Sequence, residues 1–184
     1  EGTGRAVAQA AVLLLVAVFG LKAAAFPLSV WLASTYGSVL APVAALFAIM
    51  TKVGIYALLR LDQTVLGGLD FGLGPVFHIA GLATVAAGAV GVLGSERLSA
   101  LASYLLLVSV GTLLLALGVP GGGGLHGALF YLVHTTLVTS GLYLLVGVIA
   151  RQRVPLDDSL QAGAPLGQPV LLGMLFTLAA VAVV

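Results

Sequence analysis

VLAPVAALFAIMTKVGIYALLRL, residues 39–61, is the most telling stretch of this chain. The stretch is apolar almost throughout and long enough to cross a hydrocarbon core, which takes about 20 residues. Lys52 stands past its middle, too far from either end to snorkel easily to a headgroup. A charged side chain near a bilayer midplane costs at least about 2.5–3.5 kcal/mol, and such residues commonly mark proton or ion pathways.

Hydropathy divides the rest of the chain into further segments of the same kind. Residues 6–26, extended past Pro27 to 36, come before it. Residues 76–94, 98–119 and 125–150 follow, and an incomplete sixth runs over 170–184. Short polar or Gly/Pro-rich connectors separate them. Of the 184 residues, 61% are hydrophobic and 7% are charged. A soluble domain carries about 25% charged residues, so this chain is expected to lie in a lipid bilayer. Backbone groups in lipid must be bonded internally, which favours helices. The expected fold is therefore all-α, a polytopic transmembrane helix bundle forming one unit over 1–184. The chain begins without Met and stops inside an apolar run, so it reads as an internal piece of a larger polytopic protein.

The same composition excludes several function classes. Net charge is +1 and no basic cluster is present, so nucleic acid is not an expected partner. With no cysteine, thiolate metal sites and thiol nucleophiles are unavailable. No Ser/His/Asp arrangement, His/Glu metal spacing or phosphate cradle appears, the GGGG run at 121–124 reading as a turn. Neither an enzyme active site nor a cofactor is expected. Arg5 and Arg60 fall on one side and Arg97, Arg151 and Arg153 on the other, which makes the second side the expected cytoplasmic one.

The candidate chemistry is a set of polar groups inside apolar segments. Lys52 is flanked by Thr51, with Tyr56 one turn on, and such an amine can release and regain a proton during turnover. The structural alternative is a static lysine paired elsewhere. Lys22 precedes Pro27, and a proline removes a backbone donor and crowds the preceding turn. A helix broken there would place free helix ends beside a charge, as transporters do. The competing reading is a snorkelling lysine with Trp31 as interfacial anchor. His134 lies mid-segment among Thr135, Thr136, Thr139 and Ser140, a neutral-pH relay or a core histidine bonded across helices. Gly81 and Gly88 in one segment, and Gly127, His134 and Gly141 in another, are spaced by seven, so each set is expected to face a neighbouring helix. Arg60 reads as an anchor or as a partner of Asp62.

FGLKAAAFPLSVWLASTYG (19–37), followed by APVAALFAIMTKVGIYALLRL (41–61), resembles the antiporter-like membrane subunits shared by respiratory complex I and the multisubunit Mrp-type Na+/H+ antiporters. ASYLLLVSVGTLLLALG (102–118), ALFYLVHTTLVTSGLYLLVGVIARQR (128–153) and QPVLLGMLFTLAAVAVV (168–184) extend the resemblance over nearly the whole chain. Within that family the 45–61 and 107–118 stretches lean toward the D subunit of the Mrp type. The resemblance implies inverted helical repeats with broken helices. It implies that Lys22, Lys52 and His134 carry protons along a hydrated axis. Pro27, Thr51, Tyr56, Thr135 and Thr139, singled out above as their neighbours, are the residues expected to support them. The implied partners are H+, Na+, the lipid bilayer and other membrane subunits, in the cytoplasmic membrane of a bacterium. A complex I pumping subunit and a structural membrane scaffold are the alternatives. Ala33 departs from the family's usual proline, and Thr139 stands near where some members carry a further lysine.

Overall fold

The structure, a computed structural model, describes residues 2–66, 73–119, 124–153, 157–161 and 166–184. It is all-α, with helices α1 (Gly2–Lys22), α2 (Val30–Ser38), α3 (Ala41–Leu61), α4 (Gly74–Leu93), α5 (Leu98–Leu117), α6 (Leu125–Gln152) and α7 (Pro169–Val183). A π-helical turn, Asp62–Leu66, extends α3. No strand is present among the described residues, and one isolated bridge joins Arg97 and Ser159. Four helical stretches are long and apolar enough to cross a membrane: Ala41–Thr64, Gly74–Leu93, Leu98–Leu117 and Leu125–Gln152. Pro42, Pro75 and Pro169 sit in the first turns of α3, α4 and α7. There a missing N–H costs nothing and the fixed φ suits the helix. The GGGG turn expected at 121–124 lies outside the described residues except for Gly124.

The first segment is interrupted, as its proline suggested, but the break opens earlier. α1 stops at Lys22, and Pro27 lies inside the irregular stretch that leads to α2. The cause is a helix end built on backbone hydrogen bonds. Ala25 N–H reaches back to Gly20 O at 2.9 Å, and Ala24 N–H to Leu21 O at 3.1 Å. Ala24 takes φ 57°. This is the Schellman pattern, with alanine where glycine is usual. The two donors satisfy carbonyls that the end of α1 would otherwise leave bare. Beyond it, Phe26 N–H donates to Thr84 Oγ1 of α4 at 2.9 Å.

The interruption lies against α3. A Cβ on Gly54 would meet Ala23 N at 3.0 Å and Lys22 C at 3.2 Å. A side chain there would push the neighbouring backbone away by a few tenths of an ångström, so glycine gives the closest crossing. α2 then runs beside the first half of α3, with Tyr36 Oη donating to Phe47 O at 2.8 Å.

α4 and α5 are seated on each other through small residues. A Cβ on Gly81 would lie 2.8 Å from Leu115 N, and one on Gly111 would lie 2.7 Å from Val85 N. Gly88 meets Val108 in the same way, so the Gly81 and Gly88 stripe does seat a neighbouring helix. The Gly127–His134–Gly141 stripe differs: both glycines face open space within this chain. α6 instead buries Ala128, Thr135, Thr139, Leu142, Tyr143, Val146 and Ile149. Large apolar side chains such as Leu14, Val30, Leu46, Val53, Leu137 and Val170 face outward.

α3 and α5 run in the same direction and α4 and α6 run back. The starts of α3 and α5 and the end of α6 therefore share one end, which also holds Arg97, Arg151 and Arg153. There the turn before α5 is tied to the connector after α6. Leu98 N–H donates to Asp158 O and Leu160 N–H to Glu96 O, both at 2.9 Å. Arg97 pairs with Asp158 at 2.6 Å and with Asp157 at 3.1 Å.

Candidate functional site

Lys52 projects from α3 into the interior and is 1% exposed. Its Nζ donates to Ser109 Oγ of α5 at 2.5 Å. Ser109 donates in turn to Leu106 O of its own helix at 2.7 Å. The amine thus meets a neutral hydroxyl, not a carboxylate. Among the described residues the ion pairs are those of Arg97 with Asp157 and Asp158. No cluster of His, Cys, Asp and Glu among them could hold a metal.

Thr51, the preceding residue, is also buried. Its Oγ1 lies 2.5 Å from Tyr36 Oη, and it also donates to Phe47 O at 3.1 Å. Tyr36 stands edge-on to Tyr143 of α6, with ring centroids 6.0 Å apart. Tyr143 Oη and Ser103 Oγ of α5 share a hydrogen bond of 2.9 Å. A cavity of about 690 Å³ opens above these aromatics at the arginine end, lined by Tyr36, Tyr143, Ser99, Arg97, Arg151 and Asp158 among others.

The other residues expected at the site are placed as follows. Lys22 ends α1 with its side chain exposed, while its backbone touches α3 at Gly54. Pro27 is exposed and follows a cis peptide bond. Tyr56 is exposed. His134 is exposed on α6, stacked on Phe130, with Nε2 3.0 Å from Ala182 O of α7. It therefore bonds across to a neighbouring helix but makes no hydrogen bond to Lys52. Thr135 and Thr139 are on the buried face. The hydroxyls grouped around His134 do not form a chain. Thr135, Thr136 and Ser140 each donate to a carbonyl one turn back, at 2.8, 2.5 and 2.8 Å. Thr139 Oγ1 is fully buried and has no hydrogen-bond partner. Arg60 is exposed and makes no ion pair with Asp62.

Sequence reasoning missed Ser109, Ser103, Tyr36 and Tyr143. Their signal was present as hydroxyls within apolar runs, LLLVSVG for Ser109 and TSGLYLL for Tyr143. It also missed the ion cluster at the arginine end. Asp158 accepts from Arg97 Nε at 2.7 Å, from Ser99 N–H at 3.1 Å and from the Ser99 hydroxyl. Burial pushes its carboxyl upward, but the bonds from Ser99 and Arg97 outweigh that and hold it below the usual carboxylate range. Arg97 is correspondingly raised, chiefly by its hydrogen bond to Asp158.

Long apolar helices, an interrupted helix and an amine enclosed between them define a polytopic helical membrane protein of the transporter-like class. The chain belongs to the NADH:quinone oxidoreductase/Mrp antiporter transmembrane family, which matches residues 2–183. It is 41% identical over 157 residues to the D subunit of a probable K(+)/H(+) antiporter of Rhizobium meliloti (strain 1021), covering 83% of this chain and 29% of that protein. It is 35% identical over 147 residues to the putative antiporter subunit mnhD2 of Staphylococcus aureus (strain JH9), covering 79% of this chain and 29% of that protein. The solved structure of the Mrp complex from Dietzia sp. DQ12-45-1b contains a similar chain, with a TM-score of 0.74 and 29% identity over 78% of this chain and 27% of that one. The chain thus spans less than a third of the length of these relatives.

Proposed function

We propose that this chain is the stretch of a multisubunit monovalent cation/proton antiporter subunit that carries part of the proton path, and that Lys52 is the amine holding the proton in transit. The observation that carries the reading is the burial of Lys52 against a neutral hydroxyl. An ammonium paired with a carboxylate is electrostatically settled. One that meets, among the described residues, only the Ser109 hydroxyl keeps both its charged and its neutral form within reach, which a proton carrier needs. The interrupted helix packed on α3 at Gly54 supports the same reading, because discontinuous helices beside a buried charge are a habit of transporters.

Lys22 and His134 flank this step. Both are exposed on the chain, and we assign them the exchange of protons with groups in the rest of the subunit. Na+ is the cation implied by the sequence resemblance, whereas the Rhizobium relative is named for K+, so both belong in the test. The protein is proposed to work in the bacterial cytoplasmic membrane with other membrane subunits as partners.

The test uses the full complex in everted membrane vesicles carrying a fluorescent pH probe. Na+ and K+ are added in turn to dissipate an imposed proton gradient. Lys52→Ala should lower exchange at least a hundredfold while the complex still assembles. Wild-type exchange in that variant removes Lys52 from the mechanism.

A further inference from the structure

We infer that Thr84 of α4 decides where the first helix stops, and that it is thereby a positioning residue for Lys22. The role of Lys22 rests on the functional reading above, whereas the helix end is a matter of structure alone.

Local preference opposes the observed stop. Residues 23–25 are three alanines, the best of the helix formers. A proline inside a helical pattern ends the helix at the residue before it, which here is Phe26. The chain instead leaves α1 after Lys22 and turns through Ala24 at φ 57°, a conformation that a Cβ disfavours. A contact outside the segment must offset both costs.

The backbone donors locate that contact. Ala23, Ala24 and Ala25 donate back to the carbonyls of Phe19, Leu21 and Gly20, and Leu28 donates to Ala25 O at 2.7 Å. Pro27 has no N–H to give. Of the donors from 23 to 28, Phe26 N–H is the one that leaves the segment, reaching Thr84 Oγ1 at 2.9 Å. Thr84 spends its own proton on Ala80 O at 2.6 Å, so it meets Phe26 with a lone pair. It is 0% exposed and stands eleventh among the twenty residues of α4. At that depth neither water nor a headgroup stands ready to replace the bond. The close crossing at Gly54 makes room for the segment, and Thr84 holds it there.

Without the Thr84 acceptor, the nearest partner for Phe26 N–H is Lys22 O, four residues back, which is the bond of a continued α-helix. Taking it would wind residues 23–26 into a further turn and return Ala24 to right-handed space. The end of α1 would advance by about 6 Å, four residues at 1.5 Å each. Lys22 would become an interior helical residue rather than a terminal one. Thr84 thus selects between two ends of one helix, and with them two settings of Lys22 against Gly54 of α3.

The experiment uses the full complex, with Thr84→Val, Thr84→Ser, Ala24→Gly, Lys22→Ala and the double variant of Thr84→Val with Ala24→Gly. Valine keeps the shape of threonine and removes the acceptor, while glycine removes the Cβ that opposes the left-handed turn. In vesicles, Thr84→Val should slow exchange at least fivefold and move the pH of half-maximal exchange. Thr84→Ser and Ala24→Gly should stay within twofold of wild type. Adding Ala24→Gly should bring Thr84→Val back within twofold, in rate and in pH profile, which a mere packing defect at Thr84 would not allow. Cryo-electron microscopy of the Thr84→Val complex should show α1 running on to Phe26. The inference is overturned if that helix still stops at Lys22, or if Ala24→Gly leaves Thr84→Val slow. It is also overturned if Thr84→Val keeps the wild-type rate and pH profile while Lys22→Ala is inactive. Should Thr84→Val alone not assemble, the double variant decides: assembly with α1 ending at Lys22 supports the assignment, and continued failure to assemble overturns it. If the longer helix is seen and Lys22→Ala exchanges normally, the helix end stands and the functional reading of Lys22 is what fails.

Discussion

Replacing Lys52 with methionine separates a proton carrier from a structural lysine, because the two roles predict opposite changes in stability. Methionine keeps the length and the apolar stem and fills irregular space readily. The substitution removes the bond from Nζ to Ser109, and a hydrogen bond to a charged group contributes about 1.5–3 kcal/mol. It also removes the cost of holding an ammonium inside the bundle. Lys52 is eleven positions into α3, about 16 Å from its start, which is near the middle of a hydrocarbon core about 30 Å thick. At that depth the charge costs about 2.5–3.5 kcal/mol. Ser109 is not stranded, since its hydroxyl already donates to Leu106 O. The difference leaves Lys52→Met between about 0.5 kcal/mol less stable and about 2 kcal/mol more stable than wild type. Thermal unfolding of the purified complex in detergent measures this, alongside the vesicle assay, in which exchange should be lost. A loss of about 3–5 kcal/mol, the scale seen when one half of a buried ion pair is removed, would refute the reasoning. Such a loss would mean that Lys52 is clamped by a charge.

Two further outcomes follow from the packing. Gly111→Ala should destabilise by about 1–3 kcal/mol, the usual cost of overpacking, because its Cβ would meet Val85 N at 2.7 Å and Gly81 O at 2.9 Å. Gly127→Ala, with nothing within 4 Å, should leave the melting temperature unchanged, and equal effects at the two sites would contradict the α4–α5 contact. At the arginine end the folded-state pKa of Asp158 is depressed. Its contribution is therefore present above the unfolded aspartate pKa of about 3.9 and is lost as pH falls through the folded value. The melting-temperature gap between wild type and Asp158→Asn should be full at neutral pH and close only below the ordinary aspartate range. A gap that closes near pH 6 would assign it to another group.

The helices were legible because lipid leaves the chain few choices. Residues 39–61, 98–119 and 125–150 were expected from apolar length, and α3, α5 and α6 lie within two residues of those bounds. The interruption was legible in kind but not in place. Pro27 advertises a break, yet the helix stops at a left-handed Ala24, and alanine gives no sign of that conformation. At the site, Lys52 stood out because one charge in an apolar run is conspicuous. Its partner Ser109 did not, since a serine in a membrane helix is unremarkable until the register between α3 and α5 is known. The α6 stripe meets a neighbour at His134, which lies against Ala182 O of α7, while Gly127 and Gly141 face open space within this chain. A spacing of seven names a face but not its neighbour, and the tight contacts went to Gly81, Gly88 and Gly111 instead.

The bare crossing at Gly54 has a mechanical consequence. Where Ala23 and Lys22 rest on α3, no side chain cushions the contact, so backbone bears on backbone two residues from Lys52. A small displacement of the end of α1 would be transmitted to α3 with little slack. The contact between the two lysine-bearing helices is thus made by main chain at this point and not by side chains.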